Sequence, residues 1–108
     1  MSSTLRNKVQ LIGNLGSDPE VLTLESGRKL AKFSLATNES YRDNKGERQT
    51  NTQWHQVVAW GKTAELIETY VGKGKEVAVE GKLATRSWED SEGQRRYATE
   101  VICNHLLL

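Results

Sequence analysis

Aromatic residues on one predicted strand are the first feature of this sequence that suggests chemistry. Residues 52–62 read TQWHQVVAWGK. The two-residue repeat of a strand places Trp54 and Trp60 on one face, and Val57 and Ala59 on the other. Because Val57 and Ala59 suit a hydrophobic core, the tryptophan face is expected to look outward or into a groove.

Two further rings extend this pattern. Trp88 keeps an outward position if its own predicted strand continues that far, and Tyr41 falls near a predicted hairpin tip. An exposed ring contributes little to folding, whereas a row of rings offers faces on which unpaired bases stack for about 1–3 kcal/mol each. There are two alternatives. The rings could form a patch that binds another protein, or the inward and outward positions could be assigned one residue out of register, in which case the rings fill the core.

Basic residues accompany the same elements, although the net charge is only +1. If they line one groove, they would neutralise phosphates while the rings take bases. Acidic residues are interspersed among them, so most are equally compatible with ordinary solvated surface. The cations in question are Arg42, Lys45, Arg48, Lys62, Lys73, Lys75, Arg86, Arg95 and Arg96.

Catalysis and metal binding have weak support. His55 has inward parity, His105 has no obvious partner, and Cys103 is the only cysteine, so neither a metal-ligand spacing nor a nucleophile–base pair is present. Gly72–Lys75 has the wrong glycine spacing for a phosphate loop. We therefore expect a protein that is not an enzyme and takes no metal or cofactor, with Cys103 in the core.

Length and hydropathy place the chain in one class. At 108 residues it is expected to form a single domain over residues 1–108. No run approaches the roughly 20 apolar residues of a membrane span, and the N-terminal residues lack a secretory pattern. A cytoplasmic location is expected.

Periodicity predicts an all-β fold. Strand alternation covers five main segments and one short one, helical spacing lies between Gly61 and Gly72, and the polar segment 42–51 is predicted as an exposed loop or hairpin tip. The predicted strands are Lys8–Leu15, Glu20–Glu25 (short), Lys29–Ser40, the tryptophan segment, Lys75–Arg86 and Gln94–Cys103. This order predicts a five-stranded Greek-key OB-fold barrel with one short α-helix between main strands 3 and 4.

Four side chains receive specific predictions within this fold. Phe33 and Tyr70 are expected in the core, and Leu83 is expected to point inward. Tyr97 is expected in the core or in a cross-strand pair.

A set of short motifs, in order and at matching separations, resembles the bacterial single-stranded DNA-binding protein family over about the whole chain. The motifs are Asn7-Lys8-Val9, Gly13-Asn14-Leu15-Gly16, Asp18-Pro19-Glu20, Leu35-Ala36-Thr37, Trp54-His55, Val57-Val58, Gly61-Lys62, Lys73-Gly74, Glu80-Gly81, Thr85-Arg86, Trp88, Arg96-Tyr97 and Thr99-Glu100-Val101. The resemblance implies a homotetramer of OB-folds that binds single-stranded DNA without sequence preference and protects it during replication, recombination and repair. It also implies a cytoplasmic, nucleoid-associated protein.

The resemblance further implies roles for individual residues. His55 corresponds to a position at subunit contacts. The stacking positions are Tyr41, Trp54, Trp60 and Trp88, and the phosphate-facing cations are Lys8, Lys62, Lys73, Arg86 and Arg96. An OB-fold module that binds a protein partner or assists replication restart is the alternative function.

Departures from the family pattern concern charge and the C-terminal end. Tyr41 stands where tryptophan is common and Trp60 where phenylalanine is common. Gln56 and Ala84 replace frequent arginines, which fits the near-neutral charge. The flexible linker and acidic tip through which the family recruits replication and repair proteins are not in this sequence, so a short form or a truncated core is expected.

Overall fold

The computed structural model describes residues 6–108 and contains six strands and one helix. The elements are β1 (Val9–Leu15), β2 (Glu20–Thr23), β3 (Lys29–Arg42), β4 (Arg48–Trp60), α1 (Gly61–Tyr70), β5 (Glu76–Glu89) and β6 (Arg95–Leu107). With the four-residue β2 set aside, α1 lies between main strands 3 and 4. The predicted fold class is confirmed.

One sheet closes on itself to make the barrel. Its strand order is β1-β5-β6-β4-β3-β2, and an additional antiparallel pairing of β1 with β3 closes it at Asn14–Ala36 and Leu15–Leu35. β4 and β6 are the parallel pair, with Val57 beside Val101. Gly13 permits the closure, because a Cβ atom there would lie 2.1 Å from the Ala36 carbonyl oxygen.

The core consists of the inward residues of the barrel strands and one side of α1. Leu35, Ile67, Val57 and Val77 are its largest fully buried side chains. Phe33 and Cys103 are also buried, as predicted. Burial raises the pKa of the Cys103 thiol to about 11, so this thiol stays protonated and unreactive at neutral pH.

The two long hairpins are longer than predicted. Because β3 runs to Arg42 and β4 begins at Arg48, half of the polar segment 42–51 belongs to strands and residues 43–47 form the tip. β5 and β6 likewise continue past the predicted ends, to Glu89 and Leu107. Of the two predicted alternatives the segment is the hairpin tip, and cross-strand backbone pairing holds residues 42 and 48–51 in extended structure.

Two of the predicted inward positions, Tyr70 and Leu83, are wrong, and Tyr97 follows the second of its two predicted alternatives. Tyr70 is 58% exposed because the buried stripe of this segment follows Ala64, Ile67 and Val71, and Tyr70 lies to one side of it. Leu83 and the 69% exposed Tyr97 have the correct inward alternation but lie where the β5–β6 hairpin extends past the barrel. Tyr97 does form a cross-strand pair, with Ser87.

Candidate nucleic-acid interface

The outer face of the barrel carries all three tryptophans. The strand register places Trp54 opposite Ala36 and Trp60 opposite Leu30, on the side away from the buried Val57. The parallel pairing of Val58 with Ile102 extends this outer face from β4 to β6. Trp88, on β5, is opposite Arg96 of β6 and shares the face.

Tyr41 is not brought to this face. It is paired with Gln49, and its alternation follows that of Leu35 and His55, so it lies on the opposite side of the β3–β4 hairpin from Trp54. Its ring is exposed because the hairpin there has left the barrel. The predicted stacking set therefore divides into three rings on one face and one ring on the reverse of a hairpin.

Trp54 lies against the loop that follows β1. A Cβ atom added at Gly16 would lie 2.6 Å from the Cζ3 atom of the indole, so only glycine lets the ring rest there. Trp54 is nevertheless 60% exposed. One part of the ring is thus fixed against backbone while much of its surface faces solvent.

Trp60 and Trp88 are each covered by an arginine. The Arg28 guanidinium lies 4.6 Å from the Trp60 ring centroid, and the Arg86 guanidinium lies 4.6 Å from that of Trp88. Both are cation–π contacts. Arg86 is in addition held by Glu100, with 3.2 Å between Nε and a carboxylate oxygen.

Arg96 is held by a carboxylate at the hairpin tip. Its Nε donates to Asp90 at 2.8 Å, and Asp90 also accepts the backbone N–H groups of Glu92 and Gln94. The pKa of the Asp90 carboxyl is lowered, mainly by the hydrogen bond from the Gln94 N–H group and next by the hydrogen bond from Arg96. Arg96 therefore lies beside Trp88 on a well-anchored turn.

The three predicted lysines lie in different places. Lys62, in the first turn of α1, is close in sequence to Trp60. Lys73 follows the helix, and its backbone N–H group donates to Asp18 in the loop that carries Gly16. Lys8 forms an ion pair with Glu80 at 3.6 Å. Glu80 is eight residues before Trp88 on β5, roughly 25 Å at strand spacing, so Lys8 is remote from that ring.

His55 is half-buried at the end of the core on β4. Its Nε2 atom lies 2.9 Å from the Thr37 hydroxyl oxygen. The position of His55 agrees with the inward side of β4 predicted for it, and Thr37 gives the ring a polar partner. The subunit contact of His55 stays a prediction.

Four residues of this face were missed by the sequence reasoning. Gly16 and Arg28 contact rings, and Asp90 and Glu100 hold arginines. The alternation of β6 could have placed Glu100 on the arginine face, and the Asp-x-x-Gly spacing indicates the Asp90 turn. No sequence signal indicated the contacts of Gly16 and Arg28, because they join separate elements.

No acidic or histidine cluster suitable for a metal ion occurs within residues 6–108. In the same range, α1 is neither long nor apolar enough to cross a membrane.

The closed barrel of five main strands and one helix is an OB-fold, the class of folds that bind oligonucleotides and oligosaccharides. In this chain the outer face of the barrel carries the tryptophans. The Single-strand binding protein family model matches residues 6–108, and the chain belongs to that family.

Two similar proteins support this assignment. "Single-stranded DNA-binding protein 1" of Chlorobaculum tepidum is 48% identical over 101 residues, which cover 93% of this chain and 62% of that protein. The chain thus spans somewhat less than two thirds of that relative's length. A solved structure, "Plasmodium falciparum SSB complex with ssDNA", matches with a TM-score of 0.86 and 41% identity, over 99% of this chain and 97% of that one.

Proposed function

We propose that this chain binds single-stranded DNA without sequence preference, as one domain over residues 1–108, and that its rings stack on bases. The observation that carries the proposal is the outer barrel face with Trp54, Trp60 and Trp88, in a chain of the Single-strand binding protein family. Stacking on aromatic rings tolerates any base, since every base has a π-face. Tyr41 is included as a fourth ring, and the DNA reaches it only by passing around the β3–β4 hairpin.

The cations divide into two groups under this proposal. Lys62 and Lys73 have no ion-pair partner recorded within residues 6–108 and are directly available to phosphates. Lys8, Arg86 and Arg96 are each already paired with a carboxylate, so a phosphate contact would require that partner to be exchanged. The contribution of these five cations to the salt dependence should therefore be modest, because only two of them are without a carboxylate partner among the described residues at the start.

Titration with oligo(dT), followed by tryptophan fluorescence, tests the function. We expect strong quenching, because bases would stack directly on indole rings. Trp54→Ala should weaken binding by roughly 1–3 kcal/mol without unfolding the chain, and circular dichroism serves as the folding control. An unquenched, non-binding wild-type protein would contradict the proposal and would favour a surface for a protein partner.

A salt series gives a second measure. The logarithm of the affinity should fall linearly with the logarithm of the salt concentration, with a slope of about −0.7 for each phosphate contact on a single strand. Lys62→Ala should reduce the slope by about that amount. A flat series would remove the phosphate role of the cations.

We also propose that the protein acts as a homotetramer in the cytoplasm, on single strands exposed in replication, recombination and repair. Exposed Ile12 and Leu107 lie with Ala78 on an apolar part of the surface away from the tryptophans, which supports self-association. His55 is assigned to a subunit contact. Molecular mass in solution, with and without oligo(dT), tests the assembly, and a monomer in both conditions would contradict it.

A further inference from the structure

We propose that Arg86 and Glu100 position the Trp88 ring for stacking, and that Arg86 does not serve as a phosphate ligand. This inference rests on the proposed function, because it concerns how one ring of the same surface receives a base. It assigns Glu100 a role as a positioning residue, acting through Arg86.

The first observation is that one face of Trp88 is already occupied. The Arg86 guanidinium lies 4.6 Å from the ring centroid, within the range of a cation–π contact. Trp88 is 39% exposed. A base therefore stacks on the remaining face, and the indole lies between the base and the guanidinium.

The second observation is that Arg86 is not free to move to a phosphate. Its partner Glu100 is only 13% exposed, whereas Arg86 itself is 55% exposed. Within residues 6–108, Arg86 is the only basic or hydrogen-bonding partner recorded for the Glu100 side chain. Departure of Arg86 would leave a largely buried carboxylate unpaired, which is costly.

Arg96 provides the contrast on the same hairpin. Its partner Asp90 also accepts the backbone N–H groups of Glu92 and Gln94. Asp90 therefore remains satisfied when Arg96 turns to a phosphate. The two arginines beside Trp88 have similar charge but different freedom: Arg96 can exchange partners, and Arg86 is retained.

Retention of Arg86 has a direct consequence for binding. A side chain that is already held loses less conformational freedom when a ligand contacts it, so binding is tighter than to a mobile ring. The Glu100–Arg86 ion pair thus prepares Trp88 before DNA arrives. Little of the salt dependence comes from Arg86, because its charge is already compensated.

A double-mutant cycle between Arg86 and Trp88 tests the inference. Oligo(dT) affinity is measured for the wild type, Arg86→Ala, Trp88→Ala and the double variant. We expect Arg86→Ala to weaken binding about two- to tenfold, to leave the salt slope unchanged, and to have no further effect when Trp88 is absent. Lys62→Ala is the matched control: its loss should persist in the Trp88→Ala background.

Two outcomes of the cycle would overturn the inference. An equal loss from Arg86→Ala with and without Trp88, together with a shallower salt slope, would make Arg86 an independent phosphate ligand. Unchanged or tighter binding by Arg86→Ala would mean that the guanidinium contributes nothing or blocks a usable ring face. Wild-type titration in the same series keeps these outcomes distinct from failure of DNA binding itself.

Glu100→Gln tests the second link, with Glu89→Gln as its control. Both variants remove one negative charge from β5 or β6, but no contact between Glu89 and Arg86 is recorded. We expect the oligo(dT) dissociation constant of Glu100→Gln to be at least about twofold higher than that of Glu89→Gln. Equal or tighter binding by Glu100→Gln would overturn the role of Glu100.

A measurement on the free protein separates positioning from general stability. In a Trp54→Phe/Trp60→Phe background, Trp88 is the only indole, so acrylamide quenching reports access to that ring. Arg86→Lys keeps the charge but loses the planar stack, and should raise both the quenching and the oligo(dT) dissociation constant, with an unchanged melting temperature. Wild-type values for Arg86→Lys in both assays would overturn the inference.

Discussion

The two long hairpins, β3–β4 and β5–β6, use the same turn to different effect. Asp43 and Asp90 each accept two backbone N–H groups within the turn, and Gly46 and Gly93 each have a φ of +78°. Six residues after each aspartate, a side chain on the returning strand closes the turn. That side chain is neutral Gln49 in the first hairpin and cationic Arg96 in the second.

The rings of the two hairpins also lie on different faces. Trp88 continues the outer face of the barrel, with arginines beside it, whereas Tyr41 continues the face that is core within the barrel. Once a hairpin extends past the barrel, both of its faces are open to ligands. Equal turns can therefore support an arginine-covered indole on one hairpin and an exposed tyrosine on the reverse face of the other.

Truncation of the two rings gives the largest expected difference. Trp88→Ala should weaken oligo(dT) binding by about 1–3 kcal/mol, and Tyr41→Ala should lie at or below the lower end of that range. The reason is that Tyr41 lies apart from the three tryptophans and that no cation of residues 6–108 stacks on it. Fluorescence titration measures both, with melting temperature as the control. A larger loss from Tyr41→Ala would reverse the ranking of the hairpins.

Alternation was sufficient to predict most of the barrel because one face of each strand is buried. Val57 and Ala59 are fully buried and Trp54 faces solvent, as the period of two requires. The same rule failed at Leu83, since alternation indicates which side a residue is on but not where the barrel ends. Polar strand ends such as 48–51 carry no hydrophobic signal, so the sequence predicts only an exposed loop or hairpin tip there.

The ring and cation types of the candidate site could be predicted from the sequence, but their pairing could not. Trp54, Trp60 and Trp88 were placed outward correctly. Which arginine covers which ring, and which carboxylate holds it, depends on side-chain packing between elements distant in sequence. Tyr41 shows the limit: its position near a hairpin tip was predicted, whereas its face followed only from the register with Gln49.

Neutralising the turn aspartates should sharpen the contrast with a smaller effect. Asp90→Asn removes the charged partner of Arg96, which then contacts phosphate more readily, so the salt slope should become steeper by about 0.7. Asp43→Asn removes a partner of neutral Gln49 and should leave the slope nearly unchanged. Salt titrations of both variants with oligo(dT) provide the measurement. Equal steepening in both would show that only the overall charge matters.

The smallest expected effect is on stability in acid. Backbone N–H donors, from Glu47 and Gln94 respectively, lower the pKa of both Asp43 and Asp90. A depressed native pKa adds stability above the unfolded value of about 3.9 and loses it as pH falls through the native pKa. The melting-temperature deficits of Asp43→Asn and Asp90→Asn should therefore be full at neutral pH and shrink below about pH 4. High salt should reduce the melting-temperature deficit of Asp90→Asn more than that of Asp43→Asn, because Asp90 also forms an ion pair with Arg96. Equal salt effects on the two deficits would mean that the stabilisation by both aspartates comes from the backbone hydrogen bonds of the turn.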